Sequence, residues 1–467
     1  MLFSSMVFLW IFLPIVFCGY HLLQDQYKNI WLLVASLIFY SWGEPAYIFL
    51  MLLSIIVNYL LGIWMDKQPQ KKIVLIVAII FNLMVLGYFK YFSTMMGTLN
   101  GLMGKELIQV KTIVLPLGIS FYTFQIMSYI IDLYRGEIKV QKNIFRLALY
   151  ITFFPQLVAG PIVKYHDVEN QIAHRECTAQ KVAYGIKRFI YGLGKKVIIS
   201  NSIASVVDTI FANPIDMIST LWVWIGVALY TLQIYYDFSG YSDMAIGLGK
   251  MFGFDFMENF NYPYISKSIQ EFWRRWHISL STWFKEYVYI PLGGNRKGKT
   301  RTYFNLWIVF ALTGVWHGAT FNFLIWGLWH GFFMFIERLG GKKLLDKNPF
   351  KFLNYIYTMF VVIVGWAIFR CDSWKQAYET LFAMFTRGRI ANGMLWYNVA
   401  SVRSLVIIVI AIILAGPLQK LFPKLEEQFK GEQKLSLVEG ALQFVILLIS
   451  IMLLVSGQYN PFIYFKF

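Results

Sequence analysis

Six histidines, His21, His166, His174, His277, His317 and His330, are spread along a chain of 467 residues. Imidazole takes and gives protons near neutral pH, which makes these residues the first candidates for general-base chemistry. His174 lies in the polar run AHREC and reads as a loop residue, while His166 in VKYHDV and His21 near a helix end read as interfacial. His317 differs. It stands in LTGVWHGATFNFLIWGLWHG, sixteen residues after Arg301. A helix of that length carries it about 24 Å from the basic residues before it. A second apolar run begins at 321 and ends at Glu337 and Arg338, so 303–337 is expected to form a helical hairpin with Trp316–Thr320 at its turn. Two readings stand on spacing alone. Either the hairpin reaches the far interface and His317 meets water, or His317 lines a polar cavity at membrane depth, where an ionisable side chain marks a functional site. His277 precedes it by forty positions. His330 follows by thirteen, about 220° round a straight helix, and is expected to face away.

The elements that must hold these residues are membrane helices. The chain is 58% hydrophobic and 14% charged, where a soluble domain carries about 25% charged residues. Uncharged runs such as LVIIVIAIILA at 405–415 and ALQFVILLISIMLLVS at 441–456 recur. Spans are expected near 2–20, 29–42, 46–64, 73–92, 112–131, 147–163, 183–204, 219–236, 303–316, 321–337, 352–369, 404–419 and 438–456. Several are shorter than the roughly 20 residues of a full crossing, which points to re-entrant or broken helices lining protein or water. The first run, 2–18, lacks a basic leader and a small-residue cleavage site, and reads as a retained helix. The fold class is all-α, a polytopic membrane protein in one domain over 1–467.

The net charge of +17 does not signal nucleic acid, because the basic residues lie between apolar runs, as cytoplasmic loops do. Segment 267–301 carries eight lysines or arginines against two glutamates and is rich in Phe and Trp, the composition of an interfacial segment. Three distant cysteines, Cys18, Cys177 and Cys371, have no metal or redox spacing. Gly192-Leu-Gly194-Lys195-Lys196 and Gly247-Leu-Gly249-Lys250 lack the spacing of a phosphate loop. No HExxH or G-x-S-x-G occurs, which excludes those zinc protease and serine hydrolase signatures. No metal or bound cofactor is expected. Asp237 and Asp243, at the end of an apolar run, suit capping, ion pairing or acceptor binding.

The run NFNYPYISKSIQEFWRRWHISLSTWFKEYVYIPLGGNRKG, followed by LTGVWHGATFNFLIWGLWHG, resembles the core of the membrane-bound O-acyltransferase (MBOAT) family. The likeness is strongest to its bacterial branch of alginate and peptidoglycan O-acetylation membrane subunits. LPLGISFYTFQIMSYIIDLYRG, FFPQLVAGPIVKYHDV, YYDFSGYSDMAIGLGKMFGF and the ending NPFIYFKF support it. The core covers about 80–340. The resemblance implies a ring of about 11–13 transmembrane and re-entrant helices around a central tunnel, in the bacterial cytoplasmic membrane. It implies that His317 is the catalytic histidine, with His277 orienting the donor or stabilising the oxyanion. It places Trp316, Asn322, Trp273, Arg274, Arg275, Trp276, Ser279, Asp237, Ser239, Tyr241 and Asp243 along the donor and acceptor paths. The implied donor is acetyl-CoA, its phosphates drawn by Arg274, Arg275, Arg296, Lys297 and Lys299. The implied acceptor is a cell-surface polysaccharide or an exported SGNH-type acetyltransferase. D-alanyl transfer to teichoic acid is the alternative within the family. A transporter or flippase is the alternative from another class, though it has no need of a histidine pair at this spacing.

The charge of 267–301 yields a test of orientation. Single cysteines at Lys297 or Lys299, in a background lacking the three native cysteines, should stay unlabelled by a membrane-impermeant maleimide in intact cells and react after lysis. Labelling in intact cells reverses the orientation.

Overall fold

The computed structural model describes residues 1–104, 113–158, 160–386, 395–422, 437–457, 462 and 463. No strand occurs among them. The helices run as α1 Leu13–Leu22, α2 Asp25–Ser41, α3 Tyr47–Lys67, α4 Lys71–Met103, α5 Ile119–Arg135, α6 Ile144–Thr152, α7 Phe154–Leu157 and α8 Tyr165–Ala173. They continue as α9 Ala179–Gly194, α10 Asn201–Phe211, α11 Thr220–Met251, α12 Ile269–Arg275, α13 Ile278–Phe284, α14 Lys299–His317 and α15 Phe321–Ile336. The last are α16 Lys342–Lys347, α17 Lys351–Arg370, α18 Trp374–Phe385, α19 Trp396–Val399, α20 Val402–Leu414, α21 Pro417–Leu421 and α22 Leu437–Val455. By length and composition α3, α4, α17 and α22 can cross a membrane. In α3, α4 and α22 most residues are not buried, as in lipid-facing helices, and Leu53, Leu60, Ile76, Ile80, Phe444 and Leu448 all point outward, whereas α17 is buried over more than half of its apolar stretch. The all-α polytopic expectation holds.

Several of the expected spans take another form: the one expected over 219–236 runs on to Met251 in α11, and 404–419 is broken between α20 and α21. The stretch 147–163 is broken at Phe153 between α6 and the short α7, where Pro155 at the start of α7 cannot continue a helical ladder. The stretch 183–204 is longer: α9 passes through a wider π turn, Lys195–Ser200, into α10. The terminal NPFIYFKF lies outside the described residues except for Phe462 and Ile463.

The chain forms two compact units, residues 1–189 with 241–257, and 190–240 with 258–467. In the first, Asn58 of α3 and Asn82 of α4 exchange side-chain amide hydrogen bonds at 2.8 and 3.1 Å. Such reciprocal amides hold helices together where lipid supplies no hydrophobic drive. Also in this unit, the Arg188 guanidinium donates to Asp243 at 2.6 and 2.8 Å and to the Tyr184 hydroxyl at 2.8 Å. In the second unit Lys196 pairs with Asp237, both buried, and the Ile463 N–H donates to the other Asp237 oxygen at 2.8 Å. Both aspartates are thus ion-paired, one of the roles that their place at the end of an apolar run suits.

The glycine runs that superficially suggest phosphate loops are helical. A Cβ on Gly247 would lie 2.6 Å from the Gly185 carbonyl oxygen, so α9 and α11 approach backbone to backbone there. Gly247→Ala should therefore force the helices apart and cost about 1–3 kcal/mol. This would read as a lower melting temperature in detergent, while Gly87→Ala, where nothing lies within 4 Å, leaves it unchanged or raised.

Candidate active site

His317 is the last residue of α14, and the hairpin with α15 fixes it. A Cβ on Gly314 would sit 2.3 Å from the Phe323 carbonyl oxygen, and one on Gly327 would sit 2.2 Å from that of Phe310. Only glycine at both positions lets the two backbones touch, and the helix end carrying His317 is set by that contact. The expected hairpin, with its turn at Trp316–Thr320, is observed.

His277 is held by a different device. Ser268 caps α12 by accepting from the Glu271 N–H, and the Glu337 carboxylate accepts from the N–H groups of Ile269 and Gln270 at 2.6 and 3.0 Å. An acid at a helix N-terminus satisfies donors that have no partner inside the helix. The chain leaves α12 at Trp276 and turns at His277 with φ 44° and ψ 54°. A non-glycine residue in this left-handed region is uncommon and persists only where its surroundings impose it. Here the Ile278 N–H donates to the Asn259 carbonyl oxygen at 3.0 Å, and the Asn261 N–H donates to that of Arg275 at 2.9 Å.

Asn259 then defines the chemistry. Its side-chain oxygen accepts from the Ser279 N–H at 3.3 Å, from the Ser279 hydroxyl at 2.9 Å, and lies 3.1 Å from His277 Nδ1. A backbone N–H can only donate, so the atom is the oxygen and the proton of neutral His277 is on Nδ1. His277 lies outside the spanning helices, and burial pushes its imidazole down to about 3, so it is neutral. Nε2 then carries the lone pair and accepts hydrogen bonds.

The two imidazoles meet. Their ring centres are 6.4 Å apart, with Trp316 6.0 Å from His277. His277 is fully buried and His317 is 3% exposed. Phe238 stands edge-on to His277 at 4.7 Å, and Trp326 and Phe369 lie 4.9 and 5.3 Å from His317. His330, expected to face away from His317, makes no ring contact with it among the described residues but stays within the protein. It is fully buried, 5.3 Å from Trp326 and 5.2 Å from Trp273, one ring removed from His317.

Of the other expected site residues, Trp316, Trp273 and Ser279 belong to this cluster or its supports. Trp276 packs on Trp366 at 4.8 Å. Asn322 is committed elsewhere: its amide donates to the Cys371 carbonyl oxygen at 2.6 Å and its oxygen accepts from the Thr320 hydroxyl. Arg275 is tied to Glu271 and the Asn261 carbonyl oxygen, whereas Arg274, Arg296, Lys297 and Lys299 are exposed. Ser239 is buried, two residues on from Asp237 in α11. Tyr241 and Asp243 belong to the first unit, where Tyr241 stacks on Phe3 at 4.6 Å and Asp243 holds Arg188. The aromatic residues of 267–301 do not form a lipid anchor, because Phe272, Trp273, Trp276, Trp283 and Phe284 are all buried in protein. Asn259, Phe238, Trp326 and Glu337 escape a reading based on histidine spacing. The asparagine in NFNYPY and the lone acid closing an apolar run at Glu337 are the signals that mark two of them.

Residues 34–378 match the MBOAT, membrane-bound O-acyltransferase family. The chain belongs to that family. This MBOAT protein is 42% identical over 497 residues to the "Probable alginate O-acetylase AlgI" of Pseudomonas putida, with all of both chains covered. It is 36% identical to the peptidoglycan O-acetyltransferase of Helicobacter pylori over 82% of this chain and 80% of the relative. It is 33% identical to the teichoic acid D-alanyltransferase of Bacillus subtilis, over 54% and 68%.

Replacing Asn259 by alanine strips the His277 and Ser279 donors of their acceptor. Leaving buried donors unsatisfied costs about 1–3 kcal/mol, so Asn259→Ala should slow acyl transfer by roughly ten- to a hundredfold. Activity per folded molecule, measured after size-exclusion chromatography, checks this. An unchanged rate would mean that the tautomer of His277 has no bearing on the chemistry.

Proposed function

We propose that this protein moves an acetyl group from a cytosolic thioester, acetyl-CoA, across the bacterial cytoplasmic membrane to a hydroxyl. That hydroxyl belongs to a cell-surface polysaccharide or to an exported SGNH-type acetyltransferase that passes the acetyl on. The observation that carries the reading is the buried His277–His317 pair in a chain whose full-length and near full-length relatives are named as O-acetylating proteins. D-alanyl transfer is the weaker reading, because the match to the D-alanyltransferase covers only 54% of the chain. A transporter gains nothing from a base whose partner imidazole has a fixed tautomer.

In the proposed reaction the exposed Arg274, Arg296, Lys297 and Lys299 attract the donor's phosphates. His317 takes the proton of the attacking hydroxyl as the oxygen joins the acyl carbon. His277 accepts a hydrogen bond through Nε2 from an N–H of the donor and so orients the thioester. A donated bond from that nitrogen to the oxyanion does not fit the neutral tautomer, and the orienting role is the one retained.

Complementing a deletion strain tests the proposal. The wild-type gene should restore base-labile O-acetyl esters to the envelope polymer, and His317→Ala, inserted at the same level, should restore none. His277→Ala should also be impaired, and the double variant should be no worse than the more damaged single one, because residues acting as a unit fail together. Substantial esters in cells carrying only His317→Ala would overturn the assignment.

A further inference from the structure

We propose that the indole N–H of Trp326 is the donor that meets the negative charge on the acyl oxygen during transfer, an assignment that rests on the acyl-transfer reading above. An indole nitrogen has one proton to give and no lone pair to accept with. That of Trp326 is in a side chain 1% exposed and has no hydrogen-bond partner among the described residues. A buried donor without a partner destabilises the fold unless a bound group meets it, and the Trp326 N–H is one of several such groups in the aromatic cluster around His317.

The ring is also immobile. Five neighbours hold it, with centres at 4.9 Å for His317, 5.1 Å for Phe369, 5.3 Å for His330 and 5.8 Å for each of Trp273 and Trp366. A donor fixed before the reaction need not reorient when charge develops, which is what stabilises an oxyanion most. His277 in its neutral form cannot take the role, because its proton is committed to Asn259. The Trp273 N–H and both His330 nitrogens also have no partner among the described residues. They lie around Trp326, whereas Trp326 is in ring contact with the base itself, as is Trp316, each at 4.9 Å.

The step balances without another reagent. The acceptor oxygen bonds to the thioester carbonyl carbon while His317 takes its proton. The carbonyl electron pair moves onto oxygen, facing Trp326. As that pair returns, the carbon–sulfur bond breaks, and the proton passes from His317 to the departing thiolate.

The test compares wild type, Trp326→Phe and a protein with 3-benzothienylalanine at 326, all in the deletion strain at matched membrane levels. Benzothienylalanine keeps the shape of the ring and replaces N–H by sulfur, so it separates the lost proton from lost packing. The initial rate of surface O-acetyl ester formation should fall about 100- to 1000-fold in both variants, with the benzothienylalanine protein keeping the wild-type melting temperature in detergent. A benzothienylalanine protein that works at the wild-type rate overturns the assignment, whatever Trp326→Phe does. If the wild-type gene itself restores no esters, the acetyl-transfer reading fails and this one falls with it.

Discussion

A polar group buried away from water, whether by lipid or by packed protein, costs free energy unless it finds a partner in the protein. Asn259 is where that constraint acts on the site. Its one side-chain oxygen serves three groups, two from Ser279 and one from His277. This settles which His277 nitrogen carries the proton, and with it what the other nitrogen can do. The left-handed backbone at His277 follows from the same arrangement. The residue must turn sharply enough for its Nδ1 to face Asn259 while the next N–H reaches the Asn259 carbonyl oxygen.

The same constraint explains why the histidines arrive on such different supports. His317 rides on a hairpin whose glycines let two helix backbones touch, so its position is set by steric contact. His277 sits between two seven-residue helices, too short to be stable alone. Hydrogen bonds must therefore place it, from Ser268, Glu337 and Asn259. A rigid base facing a hydrogen-bonded partner is a sensible division. In the reaction proposed above, the base must keep its distance to the reacting atoms, while the orienting residue needs a defined tautomer.

Much of this was legible in the sequence, for physical reasons. Uncharged runs can only be lipid-facing or buried, so helix class and most spans follow from composition. The 303–337 hairpin follows from two apolar runs separated by a short Gly-containing turn, and the resemblance named both histidines. What escaped is what depends on partners distant in sequence. Asp237 and Asp243 suit capping, ion pairing or acceptor binding alike until Lys196 and Arg188 are seen opposite them. Asn322 looks like a lining residue until its amide is found on the Cys371 carbonyl oxygen. The basic, Trp-rich 267–301 has the composition of an interfacial anchor, but composition cannot distinguish rings facing lipid from rings facing other rings.

That last distinction bears on the chemistry. In the proposed reaction a thioester stands beside a general base and is open to hydrolysis, water being the more abundant nucleophile. An enzyme that must deliver an acyl group to a particular hydroxyl has to keep water from the base. His277 and His317 expose almost nothing, and the groups around them are Trp316, Trp326, Phe238 and Phe369. These rings add few competing hydrogen-bonding atoms. The cations of the same stretch stand apart, exposed at Arg296, Lys297 and Lys299. Exposed charge, which would attract the proposed phosphorylated donor, and rings that exclude water make opposite demands on a surface. Separating them along one segment of chain allows both. It also accounts for a stretch that is at once strongly basic and strongly aromatic, without assigning its tryptophans to the lipid.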